Sequence, residues 1–435
     1  MAAPFVLSTL DAILKDYYAG PVRDQLNNEM MIFDLFASKK MVWTGRKVIM
    51  PVRIGRNDSG GFRADGDTLP DADHNDYKDL IIHSKYLYGR MSLTGPAIEQ
   101  AQASQGAFLN ALESELKGAT ETVKNVADAQ LFVGNGCVGF ISDTTAGGGG
   151  AAIVDVEFSG NLEAIPLNGA VPKNCKLVRL DTYAVVATTT CRQSANAGEI
   201  LFGAAPNLNA AGLPPNTAVA VIVEHTPAGV DTDITASGMY SNLAGGEYAT
   251  PLNHFGVDRS DATNTGTALQ STIRAVAADG TRTSLVTPKT LQFMLDEIAS
   301  LSGEMPDCMI GHYIFRQEYL GLLVQTVDAA GNNKANAYQK SVDNGDAGFR
   351  SGFTFNGMPL KVSRHCGKGL LIFLKTDSWV VAEVEKPGLA QLDGNVLSRV
   401  ANKDAFEAYV RYYYNVVCHS PNRNGILMGL SYAGV

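Results

Sequence analysis

The chain has 435 residues, of which 45% are hydrophobic and 18% are charged, and its formal net charge is −9. This length has room for about two or three domains, and the composition is that of a folded protein rather than a disordered or membrane-spanning one. Because phosphate groups are bound by clustered Lys and Arg, the acidic balance argues against a primary nucleic-acid binder.

The sequence gives no sign of membrane insertion or secretion. It has no run of about 18 or more apolar residues, which is the length that a membrane-spanning helix needs. The N-terminal stretch, MAAPFVLSTLDAILKDY, carries no basic region and soon reaches an acid, unlike a secretory signal. We therefore expect the protein to stay in the cytosol where it is made.

Residues 1–45 predict an arm with short helical pieces. Leu10, Ile13 and Leu14 recur at helical spacing, and an apolar patch follows around residues 30–36. This segment has too little apolar surface for a core of its own. We expect it to lie along another surface.

Residues 46–103 predict an extended β-hairpin. Both ends of this segment alternate in the manner of strands, and four glycines and Pro70 mark a loop at the tip. Isolated hairpins are only marginally stable in water. We therefore expect neighbouring copies of the chain to supply the missing contacts.

The charges of this hairpin are segregated along the chain. Five bases and one acid lie between residues 46 and 63, whereas six acids and one base lie between residues 65 and 79. We expect the two limbs to contact a neighbouring copy, where charge complementarity fixes register more than affinity. A solvated hairpin is the alternative, because exposed ion pairs contribute little. The candidate contact residues are Arg53, Arg56, Arg63, Asp65, Asp67 and Asp71.

The segment 104–134 predicts a long amphipathic helix. Ser104 is the candidate N-cap, and Gly134-Asn135-Gly136 ends the helix. A strand and a linker follow over residues 135–149. The apolar stripe, at spacings of mainly three and four residues, is Phe108, Leu112, Leu116, Ala119, Val123, Val126 and Leu131.

Residues 150–265 predict a small β-rich domain inserted into the chain. The segment is rich in Ala, Gly, Asn, Thr and Pro, and its eleven acids against five bases carry about two-thirds of the net charge. Short strands separated by turns are typical of a sandwich or barrel, and we expect the domain to face solvent. The strands are expected at residues 154–158, 177–186 and 219–223.

Residues 266–435 predict a mixed α/β domain. Residues 284–301 are expected to be helical after a strand-like start. Thr287-Pro288 opens the helix, and Leu291, Met294, Leu295 and Ile298 lie on one face. Strands are expected at residues 308–310, 359–362, 370–374 and 379–384. A long strand that alternates around aromatic residues is expected at 406–417.

A search for catalytic motifs finds no HExxH, no Walker A loop and no GxSxG elbow. We therefore predict no enzyme activity and no cofactor. His365-Cys366 and Cys418-His419 suggest a metal, but neighbours on a strand point to opposite faces, so no metal site is predicted. Asp231 and Asp233 are expected to form a turn, and the six scattered cysteines are expected to be reduced and buried.

The order of these parts resembles the major capsid protein of tailed bacteriophages, the Hong Kong 97-type fold. VWTGRKVIMPVRIGRNDSGGFRADGDTLP resembles the start of the family's extended loop, and FLNALESELKGATETVKNVADAQLFVGNG resembles its spine helix. LVTPKTLQFMLDEI through MPDCMIG, FNGMPLKVS, and DAFEAYVRYYYNVVCHSPNRNGILMG resemble later elements. The resemblance covers about three-quarters of the chain, everything but residues 150–265.

The resemblance implies an α+β fold with an N-terminal arm, an extended loop, a spine helix, and peripheral and axial domains. Residues 135–149 would join the peripheral domain, and 266–435 would form the axial and peripheral α/β domain. It implies self-assembly into hexamers and pentamers of an icosahedral head that encloses double-stranded DNA.

The implied partners are other copies, a separate scaffolding protein, a portal and a cement or decoration protein, with assembly in the host bacterial cytoplasm. Some members cross-link through a Lys and an Asn, and we assign that role to neither Lys78 nor Lys85. A decoration or tail-sheath protein is the alternative function, and an enzyme with a large β insertion is the third.

Overall fold

The computed structural model describes residues 35–40, 43, 47–57, 59–65, 67–94, 105–132, 134, 137–141, 153–155, 157–158, 173–179, 185–193, 199–202, 219–223, 236–245, 253–259, 268–275, 287–324, 354–367, 369–389, 398–399, 404–428 and 430. The helical pieces expected before residue 35, the cap Ser104, and Asp231 and Asp233 lie outside the described residues.

Most of the described residues lie in strands and helices. In chain order the strands are β1 (Ala37–Lys40), β2 (Lys47–Arg53), β3 (Tyr77–His83), β4 (Lys85–Thr94), β5 (Cys137–Ile141), β6 (Ile153–Asp155), β7 (Glu157–Phe158), β8 (Lys173–Arg179), β9 (Val185–Gln193), β10 (Glu199–Phe202), β11 (Val219–Val223), β12 (Asn253–His254), β13 (Val257–Asp258), β14 (Thr272–Ala275), β15 (Cys308–Gly311), β16 (Thr354–Phe355), β17 (Met358–Val362), β18 (Leu371–Leu374), β19 (Trp379–Leu389), β20 (Ser398–Arg399), β21 (Ala405–Cys418) and β22 (Gly425–Met428). The helices are α1 (Gln105–Phe132), α2 (Pro288–Ser302) and α3 (Tyr313–Val324), with short helical turns at Ser241–Gly245, Thr376–Ser378 and Pro421–Arg423.

The strands of the described residues form three larger sheets and two small hairpins. A central sheet runs β1-β19-β21-β20, with β4 also paired to β21. A six-stranded sheet has the order β14-β22-β18-β15-β17-β16, and a seven-stranded sheet has the order β6-β10-β9-β8-β11-β5-β7. The hairpins are β2-β3 and β12-β13.

Strand β21 is the long aromatic strand that the sequence predicts, and it lies in the middle of the central sheet. It pairs antiparallel with β4 through residues 405–414 and with β19 through residues 410–418. Alternation places Tyr412 and Tyr414 on the buried face, where their rings stack with centroids 4.2 Å apart. Tyr413 lies on the opposite face.

Helix α1 covers the buried face of this sheet, and the predicted long helix is confirmed. Gly89 of β4 allows the close approach, because a Cβ there would overlap the side chain of Val123. The predicted burial of a single apolar stripe does not hold at the end of the helix. The last turn is buried on every side, including Asp128 and Gln130, because residues of all three larger sheets share the core with it.

The end of α1 packs backbone to backbone against the segment before the Ser241–Gly245 turn. Gly134 has φ 63°, the left-handed conformation that ends many helices. A Cβ on Gly238 would lie 2.7 Å from the carbonyl oxygen of Leu131. Residues 236–243 thereby enter the main core, which α1 and all three larger sheets share.

The six-stranded sheet carries α2 and α3. Thr287 caps α2, because its side chain accepts a hydrogen bond from Thr290 N–H, and Gly303 ends the helix with φ 76°. The helix that the sequence opens at Thr287-Pro288 is confirmed, and it extends to Ser302. The buried residues of α2 are the four that the sequence places on one face, Leu291, Met294, Leu295 and Ile298.

The seven-stranded sheet corrects two expectations about residues 150–265. The single strand expected over residues 177–186 is wrong, since it comprises the end of β8 and the start of β9, which pair with each other. The expected solvent-facing position is wrong for part of the segment, because Val178, Ala220 and Ile222 belong to the main core. The sheet also takes in β5, which precedes residue 150.

Substitution of Gly238 tests the close contact at the end of α1. We expect Gly238→Ala to lower the free energy of unfolding of the unassembled subunit by about 1–3 kcal/mol, because the added methyl group has no room. Gly118→Ala on α1 is the matched control, since nothing lies within 4 Å of its Cβ. We expect it to stabilise by about 0.5–1 kcal/mol. Equal urea midpoints for the two variants would contradict this packing.

Candidate assembly surfaces

The base of the β2-β3 hairpin packs on its own chain. In the pairing register Val48 lies opposite Ile82, and Met50 lies opposite Leu80, so these side chains share one face of the hairpin. Leu80 and Ile82 are fully buried. The cluster that covers them also contains Val52, Phe255, Val257, Leu269, Ala382 and Val417.

Two hydrogen bonds fix the base in place. Ile81 N–H donates to the carbonyl oxygen of Phe255 at 2.8 Å, and the side-chain amide of Asn415 donates to the carbonyl oxygen of His83 at 2.8 Å. The expectation that neighbouring copies must support this arm is therefore wrong for the base. Residues far along the same chain cover it.

The loop between β2 and β3, residues 54–76, continues the hairpin away from this base. The N–H groups of Ile54 and Gly55 donate to the carbonyl oxygen of Asp76 at 2.9 and 3.3 Å, and Asp76 N–H donates to Gly55 at 3.3 Å. Farther out, Asn57 N–H donates to Asn75 Oδ1 at 3.0 Å. These bonds join the two limbs up to the outer part of the loop.

The six candidate contact residues lie on this hairpin, and all of them are exposed: Arg53, Arg56, Arg63, Asp65, Asp67 and Asp71. Arg53 ends β2 opposite Tyr77, and the other five lie in the loop. Asp67 also stabilises the loop itself, since its Oδ1 accepts from Thr68 N–H at 2.8 Å. The structure thus places all six on the same exposed hairpin. Their contact with a neighbouring copy stays a prediction.

A second exposed surface, which the sequence did not single out, lies on the outer face of β4 and β21. We call it the tyrosine face and define it as Tyr86, Tyr88, Tyr409, Tyr413, Arg90 and Arg411. The hydroxyl oxygens of Tyr88 and Tyr413 are 3.2 Å apart. This hydrogen bond, together with burial, raises the pKa of Tyr88 to about 12. The alternation of tyrosines with other residues at the start of β4, KYLYGRMSLT, was the signal from which this face could have been predicted.

The opposite face of β21 is closed by buried polar contacts. Tyr412 O–H donates to Glu383 Oε1 at 2.7 Å. Burial and this carboxylate raise the pKa of Tyr412, so the hydroxyl stays protonated. Two of the three rings in the run Tyr412-Tyr413-Tyr414 therefore lie inside the protein.

A buried arginine joins the Ser241–Gly245 turn to the end of β21. Arg259 donates to the carbonyl oxygens of Asn242 at 2.6 Å and Leu243 at 3.2 Å, and to His254 Nδ1 at 2.6 Å. His254 Nε2 then donates to the carbonyl oxygen of Cys418 at 2.9 Å. Burial and the Arg259 charge lower the pKa of His254 well below its usual value. This arrangement is structural, because every group is enclosed.

A second buried histidine lies between α1 and the turn after β17. His365 Nε2 is 3.9 Å from Asp128 Oδ2, and both side chains are buried. Burial and the neighbouring Arg364 charge lower the pKa of His365 to about 4. The imidazole is therefore neutral at pH 7.

No set of three or more metal-ligating side chains occurs among the described residues. His365 and Cys366 lie in a turn rather than on a strand, and Cys418 ends β21 with His419 after it. The cysteines whose side chains are described are free and buried, as expected: Cys175, Cys191, Cys308, Cys366 and Cys418. In the described part of the chain, no helix has the length and apolar character to cross a membrane.

Comparison with known proteins gives matches by structure but not by sequence. No family model and no curated protein matches the chain. The cyanophage A-1(L) capsid asymmetric unit matches 98% of this chain and 99% of its own, with a TM-score of 0.56 at 11% identity. The chain has a phage capsid fold.

Two further capsid structures agree with this fold. The capsid of a native GTA particle matches 99% of this chain and 100% of its own, with a TM-score of 0.51 at 8% identity. The capsid of Myoviridae phage XM1 matches the same shares, with a TM-score of 0.50 at 6% identity. The order of elements predicted a capsid fold, and the matches confirm that fold and its mixed α/β architecture.

The neutral buried histidine gives the capsid fold a pH dependence that can be measured. The pKa of His365 is about 4 in the folded chain, against about 6.5 unfolded, so between these values the unfolded chain binds more protons and stability falls as pH falls. We expect His365→Gln to reduce the slope of unfolding free energy against pH by about 1 kcal/mol per unit between pH 6 and 4.5.

His74→Gln is the control for this measurement, because His74 is exposed on the loop. This variant makes the same His→Gln change outside the core. The measurement is urea unfolding of the unassembled subunit at several pH values. Identical slopes for wild type and His365→Gln would show that the imidazole does not stay neutral on folding.

Proposed function

We propose that the chain is the major capsid protein of a tailed bacteriophage, with the Hong Kong 97-type arrangement and a β-rich domain inserted over residues 150–265. The observation that carries this proposal is the match of nearly the whole chain to nearly the whole of capsid subunits, 98% and 99% for the cyanophage structure. A decoration or tail-sheath protein does not have that support.

The proposed function is packing, without catalysis. Copies of the chain associate into the hexamers and pentamers of an icosahedral head, which requires a subunit that repeats its contacts at several curvatures. In this proposal the loop over residues 54–76 extends over the neighbouring copy. Its support is that the hairpin base is anchored internally whereas its six candidate contact residues are exposed.

The proposal also assigns partners and a location. The head would enclose double-stranded DNA without sequence-specific contacts, consistent with the net charge of −9. A scaffolding protein, a portal and a cement protein would be further partners. The subunit would assemble in the host bacterial cytoplasm and reside in the virion shell.

Electron microscopy of the purified protein after negative staining tests the function directly. We expect closed polyhedral shells. Tubes would favour a tail-sheath protein, and discrete small oligomers would favour a decoration protein. Either result would overturn the proposal.

Charge reversal on the hairpin tests the proposed contact of the basic limb. We expect Arg53→Glu combined with Arg56→Glu to abolish closed shells while the circular dichroism and melting temperature of the subunit stay unchanged, since like charges at an interface are strongly unfavourable. Arg399→Glu, at an exposed position on β20, controls for the change in net charge. Normal shells from the double variant would refute the contact.

A further inference from the structure

Two buried thiols meet in the seven-stranded sheet. In the pairing register of β8 and β9, Cys175 lies opposite Thr189, and Lys173 lies opposite Cys191. Opposed residues point to the same side of a sheet, and so do alternate residues of one strand, so Cys175 and Cys191 are diagonal neighbours on one face. Both side chains are fully buried. A hydrogen bond between the two thiols is the main cause that raises the pKa of Cys175, and burial adds to it.

The face that carries these thiols lies on the other side of the sheet from the main core. Leu177, two residues after Cys175, shares this face and is fully buried. The next residue, Val178, points to the opposite face and belongs to the main core. A covalent bond between the thiols would therefore join β8 to β9 without entering the core that α1 shares with the larger sheets.

The other described cysteines have partners of a different kind. Cys366 Sγ lies 3.7 Å from the carbonyl oxygen of Leu370, and Cys418 Sγ lies 3.8 Å from Ser378 Oγ. Cys308 lies beside the carboxylate of Asp307. Among the cysteines whose side chains the structure describes, a contact between two thiols is therefore specific to β8 and β9.

The β8-β9 ladder has the slack that a bond across it needs. Diagonal neighbours in a sheet typically have Cα atoms about 7–8 Å apart, whereas a disulfide bond joins Cα atoms at up to about 6.8 Å. The two strands must therefore move slightly closer together. The register shifts between Leu177 and Val178, two residues beyond Cys175. Such an irregularity lets a strand bend locally, so the approach does not require the whole sheet to move.

We propose that Cys175 and Cys191 are a modification site, at which hydrogen peroxide forms a disulfide bond between β8 and β9 after the chain leaves the reducing cytosol. The thiolate of one cysteine attacks a peroxide oxygen and breaks the O–O bond, which gives a sulfenic acid and a hydroxide that takes up the first thiol proton. The second thiol attacks the sulfenic sulfur, and the hydroxyl group leaves with the second proton as water. Two thiols thus lose two electrons, and the peroxide becomes two water molecules.

The surroundings decide when this bond forms. Cytosolic glutathione keeps thiols reduced, whereas disulfide bonds persist outside the cell. The thiolate is the reactive form, so the raised pKa of Cys175 makes oxidation slow. Local opening of the two strands admits the small oxidant. A shell that remains outside cells provides the time. Only this setting rests on the proposed function, since the bond itself needs no more than the folded chain and peroxide.

Peptide mapping of the folded protein after exposure to dilute hydrogen peroxide tests the site. Free thiols are blocked with iodoacetamide in urea, and digestion follows without reductant. We expect linked peptides that contain positions 175 and 191, lighter by two hydrogen atoms than the separate peptides. The number of free thiols should fall from six to four per chain, since two of the six cysteines are consumed. Dithiothreitol should reverse both changes.

Three variants and a second measurement complete the test. Cys175→Ala and Cys191→Ala should give no linked peptides, whereas Cys308→Ala, at a cysteine without a thiol partner, should give the same linked pair as wild type. We expect oxidation of the wild-type chain to slow amide hydrogen exchange in β8 and β9 by about tenfold or more, because the cross-link restricts local opening.

The outcomes separate the two proposals. Linkage of position 175 to a different cysteine, or sulfinic acid at positions 175 and 191 without linked peptides, would refute the modification site. These results do not depend on assembly. Absence of closed shells would overturn the proposed function, whereas absence of the linked pair refutes the modification site alone.

Discussion

The pairing of β21 along both of its edges is the constraint on which the rest of the structure depends. Its backbone groups are satisfied only when β4 and β19 are both in register, because buried N–H and C=O groups need partners. That register directs Tyr412 and Tyr414 beneath α1 and leaves Tyr413 on the outer face. One strand thereby determines both the core and the tyrosine face.

Buried amides hold this strand to the elements around it. Asn415 accepts from Ser237 N–H at 2.9 Å and donates to His83, so it joins the turn segment to the hairpin base. Asn242 accepts from Cys418 N–H at 3.0 Å. An unpaired buried amide is costly, so such contacts are satisfied in only one arrangement of the elements. The hairpin can project a loop because its base is fixed in this way.

The sequence predicts the elements whose periodicity is long and regular. The buried face of α2, the length of α1 and the alternation of β21 all follow from local spacing. What covers the hairpin base depends on Phe255 and Val257, far along the chain, and no local pattern reveals such a pairing. The tyrosine face could not be predicted for the same reason, since Tyr86 and Tyr88 form a surface only when β4 pairs with β21. The six charges of the hairpin were visible in the sequence, but the surface that we propose for their contact belongs to another copy.

The account is tested most directly by a cryo-electron microscopy reconstruction of the virus particles that contain this chain. It predicts a closed shell built from hexamers and pentamers of this subunit, with the 54–76 loop over a neighbouring copy. Helical tubes of the chain, or density for it only on the outside of a shell built from another protein, would contradict the account.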